Sequence, residues 1–200
     1  MNQKIVTLPM FPLNTIILPG ETKMLRIIEE RYKELVSDCL HNSANFGIPY
    51  KINKDIAEYG MEVKITKAVK TFDNGEMEIT VQGVMPFRIL KYTEVLSPKL
   101  YGAASIEEFN DDMVSSRYKM FRSLKKYIKS AKGKEIPVET LTNVPVYNVA
   151  VLLDLTNEEK LQLISLNELK QKEDFLIAKL KLFMHVFKTE KALEGKFWMN

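Results

Sequence analysis

Residues 11–40 read FPLNTIILPGETKMLRIIEERYKELVSDCL, and the fold is decided by how this stretch is punctuated. Pro9, Pro12 and Pro19 each lack a backbone donor, so none belongs inside a helix or at a central ladder position. They frame Leu13 to Leu18 as an apolar strand, and Pro19-Gly20 turns the chain back toward Met24 to Ile27. After Glu29 the period changes. Ile28, Tyr32, Leu35, Val36, Cys39 and Leu40 recur at three- and four-residue spacing, which predicts a helix buried on one side.

Downstream, the alternating period dominates. A first strand is expected from Lys4 to Thr7 and another from Phe46 to Ile52, with Asp55 to Tyr59 as a polar connection. Met61, Val63 and Ile65 alternate with polar neighbours, and Met77, Ile79 and Val81 resume the alternation beyond Asp73-Asn74-Gly75, a hairpin signal. Further strands are read over Gly83 to Val95, ended by Ser97-Pro98, and over Tyr101 to Ile106. The connections are too short for crossover helices, so the sheet is expected to be mostly antiparallel.

Composition shifts after the acidic stretch Glu107 to Asp112. Val114, Tyr118, Phe121, Leu124 and Ile128 predict a helix ending near Lys132-Gly133, and Pro137 to Thr142 reads as a break or short helix. Pro145 opens a helix over Val146 to Leu153. Thr156-Asn157-Glu158-Glu159 is a capping box that starts a helix through Ile164, and Asn167 caps a last one from Glu168 to about Glu194.

The motif residues carry a resemblance. Leu8-Pro9-Met10-Phe11-Pro12-Leu13, Leu18-Pro19-Gly20, and Leu25 through Glu29, Arg31 and Tyr32 resemble the opening of the Lon protease N-terminal domain family. That family runs roughly L-P-L-F-P-L-x-x-V-L-F-P-G and then P-L-x-I-F-E-x-R-Y. Ile28 stands for the usual Phe and Met24 for the usual Pro. Gly83 to Ile89 resembles the family's G-x-x-R-F-R-I element, with Pro86 in place of its first arginine. The resemblance covers residues 5–110 well and 145–185 loosely. It implies an α+β fold: a mostly antiparallel β pseudo-barrel (PUA-like) over residues 1–110, then an α-helical bundle over 111–200. It also implies a non-catalytic module that recognises polypeptide, either unfolded segments or a protease or chaperone partner.

Missing motifs narrow the chemistry. The G-x-x-x-x-G-K-[ST] phosphate loop of the Lon ATPase does not occur, and Gly133-Lys134-Glu135 lacks both the first glycine and the hydroxyl. The chain leaves no room for the Ser-Lys protease domain, so a stand-alone form that hydrolyses neither ATP nor peptides is expected. No cofactor or metal is expected: His41 and His185 have no ligand spacing with Cys39. Cys39 lies on the buried face of its helix, where a thiolate is disfavoured, and a single cysteine points to a reducing, cytoplasmic setting. The longest apolar run, near Phe175 to Phe187, is broken by Lys179, Lys181 and His185, so no membrane span is predicted.

Three sets of residues remain as candidates. Phe72, at the hairpin tip, with Met85 and Arg88 beside Pro86, form the candidate peptide-binding set. Pro9, Phe11, Pro12, Leu13, Pro19, Gly20, Glu29, Arg31, Tyr32, Gly83 and Phe87 match the family motif and are read as structural, Arg31 through its nearness to Glu29. Glu29, Glu30, Asp111 and Asp112 are read as solvated. Arg117, Arg122, Lys125, Lys126 and Lys129 lie in a run with no acid and are the candidate anion-binding set. They support a rival reading, an RNA-binding protein of PUA-like fold, although Tyr118, Phe121 and Ile128 are claimed by the core rather than free to stack on bases.

Overall fold

The computed structural model describes residues 5–109, 114–115, 117–135, 137 and 143–197. It divides into two compact units, Met1–Asp111 with Thr156–Ser165, and Asp112–Leu155 with Leu166–Asn200.

The first unit holds strands β1 (Ile5–Met10), β2 (Thr22–Ile27), β3 (Phe46–Ile52), β4 (Asp55–Thr71), β5 (Met77–Thr93) and β6 (Gly102–Glu108). Helix α1 (Glu30–Asn42) follows β2, and helix α4 (Asn157–Ser165) also belongs here. The strands run in the order β2-β5-β4-β3-β1-β6, and β6 pairs back onto β5, which closes the sheet into the expected pseudo-barrel. Only β1 and β3 run parallel among the six. Closure depends on the length of β5. Its residues 77–82 take β2 and its residues 87–93 take β6, while β4 follows it on the other side.

Phe87 fills the barrel with Met10, Ala104 and Ile106. Its ring lies where Gly47 and Gly60 have no side chain: a Cβ at Gly60 would come within 2.6 Å of Phe87 Cζ. Pro86 is tolerated in this strand because its carbonyl accepts from the Phe109 amide, just past the last laddered residue of β6. Its missing donor therefore falls where the ladder has ended.

The segment read as a strand from Leu13 to Leu18 is not one. Leu13 makes a single parallel bridge to Tyr50, and Pro19 another to Gly83. Between them Ile16, Ile17 and Leu18 are buried without joining a ladder. Side chains stand in for the ladder. The Ile16 amide donates to Asn157 Oδ1 (3.2 Å), the Leu18 amide to Glu21 Oε2 (2.9 Å), and Lys160 Nζ donates to the Ile16 carbonyl (3.3 Å). Buried backbone groups need partners, and here Glu21 and a helix 141 residues away supply them.

Other boundaries also move. Residues 55–59 belong to β4, because Asn53 adopts φ 56° and makes a two-residue turn with Lys54. Helix α1 buries Tyr32, Leu35, Val36 and Cys39. Ile28 precedes that helix and stays exposed, as does Leu40. The capping box forms as read: the Glu159 amide donates to Thr156 Oγ1 (3.3 Å) and the Thr156 amide to Glu159 Oε2 (2.9 Å). The helix it starts, α4, packs with the sheet unit rather than with the other helices, since Lys160, Leu163 and Ile164 are its buried residues.

The second unit contains a two-stranded ladder, β7 (Val114–Ser115) with β8 (Val144–Pro145), and helices α2 (Tyr118–Lys132), α3 (Val146–Leu152) and α5 (Leu169–Phe197). Met120, Phe121, Leu124, Tyr127 and Ile128 face its core, and Tyr127 meets the Phe187 ring at 6.1 Å. Tyr118 does not: it is 67% exposed, and Val114 lies in β7 rather than on the helix. Glu173, fully enclosed, accepts from Ser115 Oγ and from Arg117 (3.0 Å). Helix α5 starts at Leu169, which makes Glu168 rather than the expected Asn167 the residue before its first turn, and the Glu168 amide donates to Gln171 Oε1 (3.4 Å). Residues 110–112 of the expected acidic hinge and 138–142 of the expected break lie outside the described residues.

Candidate functional site

The loop Glu94–Tyr101 joins β5 to β6 and carries the sequence EVLSPKLY. Val95 (56%), Leu96 (40%) and Leu100 (56%) are turned to solvent along it. Isolated surface aliphatics are ordinary, but three within six residues make an apolar patch.

This loop is held at both ends. The Leu96 amide donates to the Tyr101 carbonyl (2.8 Å), and Gly102 permits the close return, since a Cβ there would lie 2.7 Å from the Thr93 and Glu94 carbonyl oxygens. Helix α1 supplies the clamp. Glu34 Oε2 accepts from the Leu100 amide (2.9 Å), and Asp38 Oδ2 accepts from Tyr101 Oη (2.6 Å) and from Lys99 Nζ (2.6 Å). The Lys99 ammonium, then the Tyr101 hydroxyl, hold the Asp38 carboxyl below the usual carboxylate range. Burial, then the bond to Asp38, push the Tyr101 phenol well up. The Leu100 amide, Lys99 and Tyr101 bond to the support, and the three aliphatic side chains stay in solvent.

A second feature is an open cleft of about 640 Å³ beside the motif segment, lined by Pro12, Leu13, Asn14, Tyr50, Ile52 and Asn157. Polar groups of its lining are already bonded: Asn157 Nδ2 donates to the Asn14 carbonyl, and the Lys51 amide to the Leu13 carbonyl. A smaller cleft of about 320 Å³ includes Cys39 in its lining. Burial raises that thiol to about 11, so it is no nucleophile at neutral pH. Among the described residues no group of three or more His, Cys, Asp and Glu could hold a metal ion, and no helix is long and apolar enough to cross a membrane.

The residues singled out for peptide binding are not brought together. Phe72 lies at the tip of the β4–β5 hairpin, level with Glu76, under the cations of Arg26 (5.4 Å) and Lys70 (4.8 Å). Met85 is nine residues further along β5, about 30 Å away at strand rise, opposite Glu62. Arg88 is exposed and paired with Glu58. Of the motif set, Phe11, Tyr32, Gly83 and Phe87 are enclosed, and Pro9, Pro12, Leu13 and Pro19 are half-buried. Arg31 pairs with Glu29 (2.7 Å) and lies over the Tyr32 ring (4.6 Å). Gly20 uses φ 82° in its turn.

In the basic run, Arg117 is tied by Glu173 and Asp174, and Lys129 by Glu135. Arg122 and Lys126 are exposed and Lys125 half-buried. The residues that sequence reasoning missed are Val95, Leu96 and Leu100. The available signal is the aliphatic triplet around Ser97-Pro98, a dipeptide that by itself marks only the end of a strand.

A profile of the ATP-dependent protease La (LON) substrate-binding domain matches residues 7–181. Among solved structures, the chain is similar to a Lon N-terminal domain protein from Xanthomonas campestris, at 24% identity and a TM-score of 0.68 over 86% of this chain and 98% of that one. It is also similar to the N-terminal domain of Mycobacterium avium complex Lon protease, at 17% identity and a TM-score of 0.63 over 88% and 98%. No curated protein matches.

Proposed function

The chain belongs to the Lon protease substrate-binding domain family, and we propose that it captures segments of unfolded polypeptide, without catalysis, through the loop Glu94–Tyr101. The observation that carries this reading is the clamped presentation of Val95, Leu96 and Leu100. A floppy apolar loop would fold onto itself. One tied by Asp38 and Glu34 keeps its aliphatic surface in water, where that surface gains most from a partner. Burying the roughly half of these three side chains that is still exposed supplies about 2–5 kcal/mol before the cost of association, which suits weak, reversible capture. The lone, buried Cys39 fits a reducing, cytoplasmic setting.

The test is a titration against fluorescently labelled, carboxymethylated α-lactalbumin, which is permanently unfolded, and against the same protein in its native disulfide-bonded form. Saturable binding of the unfolded form alone is the expected result. Equal affinity for both forms, or for neither, contradicts the reading.

One observation favours the RNA reading as a second: Tyr118 is exposed at the start of the helix that bears Arg122, Lys125 and Lys126, so one aromatic ring stands free beside the cations. The tethering of Arg117 and Lys129 weighs against it. Recovery of nuclease-sensitive material by the immobilised protein would favour RNA over polypeptide.

A further inference from the structure

Strand β2 ends the sheet, so its side away from β5 has no ladder partner among the described residues. The pleat decides which groups face that side. The Gly83 amide donates to the Glu21 carbonyl, so Glu21 points at β5, and by alternation Lys23, Leu25 and Ile27 do the same. Thr22, Met24 and Arg26 therefore direct their amides and carbonyls outward, a row of three donor–acceptor sites at strand spacing.

We propose that this free edge takes up an extended segment of the bound polypeptide as an added strand; this rests on the polypeptide-recognition reading and deepens it. Only extended backbone matches alternating donors and acceptors at that spacing. Met24, 64% exposed on the outer face, offers an apolar contact beside them. Charge selects among occupants. β2 and the outer part of the β4–β5 hairpin carry Lys23, Arg26, Lys64, Lys67 and Lys70 against Asp73, Glu76 and Glu78, and with Arg26 paired to Glu76 the neighbourhood is still net positive. A second copy of β2 laid antiparallel would add another Lys23 and Arg26 to this field, and like charges across a pair of strands are unfavourable. The occupant is an apolar segment with neutral or acidic flanks, such as an unfolded stretch of another protein.

Amide hydrogen exchange by NMR on the whole chain, with and without carboxymethylated α-lactalbumin, tests the edge directly. Binding is expected to slow exchange at Thr22, Met24 and Arg26 by tenfold or more, while Lys23, Leu25 and Ile27, already bonded to β5, change little. Met24→Pro removes one outward donor and spares the ladder to β5, so it should weaken binding at least tenfold. Unfolded-protein binding with unchanged exchange at the three outward amides overturns the strand addition and leaves the recognition reading standing. Absence of any binding by the unaltered chain overturns both. The exchange measurement needs no variant, so a Met24→Pro protein that does not fold leaves the outcome decidable.

Discussion

The ammonium of Lys160 lies 2.9 Å from both carboxylate oxygens of Glu21, and this pair fastens α4 to the segment that enters β2. Lys160 is almost fully enclosed and Glu21 a quarter exposed. Lys160→Met strands a partly buried carboxylate and the Ile16 carbonyl, and should cost about 2–4 kcal/mol in urea unfolding, somewhat less than a fully buried pair because Glu21 is partly solvated. Adding Glu21→Gln should recover part of the loss. A double variant as unstable as the sum of the singles would show that the two groups do not interact.

Thr156→Ala should cost about 0.5–2 kcal/mol, and Thr156→Ser much less, because the cap oxygen is kept. Asn157 is not a silent neighbour. Its side chain serves the Ile16 amide and the Asn14 carbonyl, so Asn157→Ala should cost about 1–3 kcal/mol. Gln162→Ala, on the exposed side of the same helix, should fall within about 0.5 kcal/mol of the parent. If Gln162→Ala is as damaging as Thr156→Ala in urea melts, the assignment of the cap is wrong.

Asn157 also marks the limit of what the sequence discloses. Its place one residue after a capping threonine is visible in the string, but its work is done on a segment 141 residues away. The same holds for Ile16 to Leu18. A run of aliphatics between prolines reads as a strand because burial is legible and the partner is not. The hairpin at Asp73-Asn74-Gly75 was legible because its turn is local, with Gly75 at φ 76°. The candidate loop was hidden for the opposite reason: Val95, Leu96 and Leu100 look like core residues, and only the clamp from Glu34 and Asp38 turns them outward.

Gly83→Ala should be the most damaging small substitution in the barrel. A Cβ there would lie 2.2 Å from the Leu18 carbonyl oxygen and 2.6 Å from that of Ile17, with backbone on the receiving side. A loss of about 3 kcal/mol or more in thermal or urea unfolding is expected. A variant as stable as the parent would mean that the 17–21 segment does not cross β5 so closely.

The clamp gives the loop a pH signature. The folded Asp38 carboxyl sits below its ordinary value, so its contribution is present above about pH 4 and is lost as the pH falls through the depressed folded value. The Tyr101 phenol is raised, so its contribution is complete below about pH 10 and is lost only at higher pH. Asp38→Asn should therefore be less stable than the parent at pH 6, with the gap narrowing below pH 4. A gap that stays constant from pH 6 to pH 3 would mean that the ionised carboxylate plays no part.

If polypeptide is captured by the loop Glu94–Tyr101, removing the loop's aliphatic side chains must weaken binding. The unaltered chain and the Val95→Ser/Leu96→Ser/Leu100→Ser variant are titrated with labelled carboxymethylated α-lactalbumin, with circular dichroism confirming that the variant keeps its fold. The three side chains are already exposed, so the variant should fold normally and bind at least tenfold more weakly. A folded variant that binds as tightly as the parent would contradict the assignment of this loop as the polypeptide-binding site.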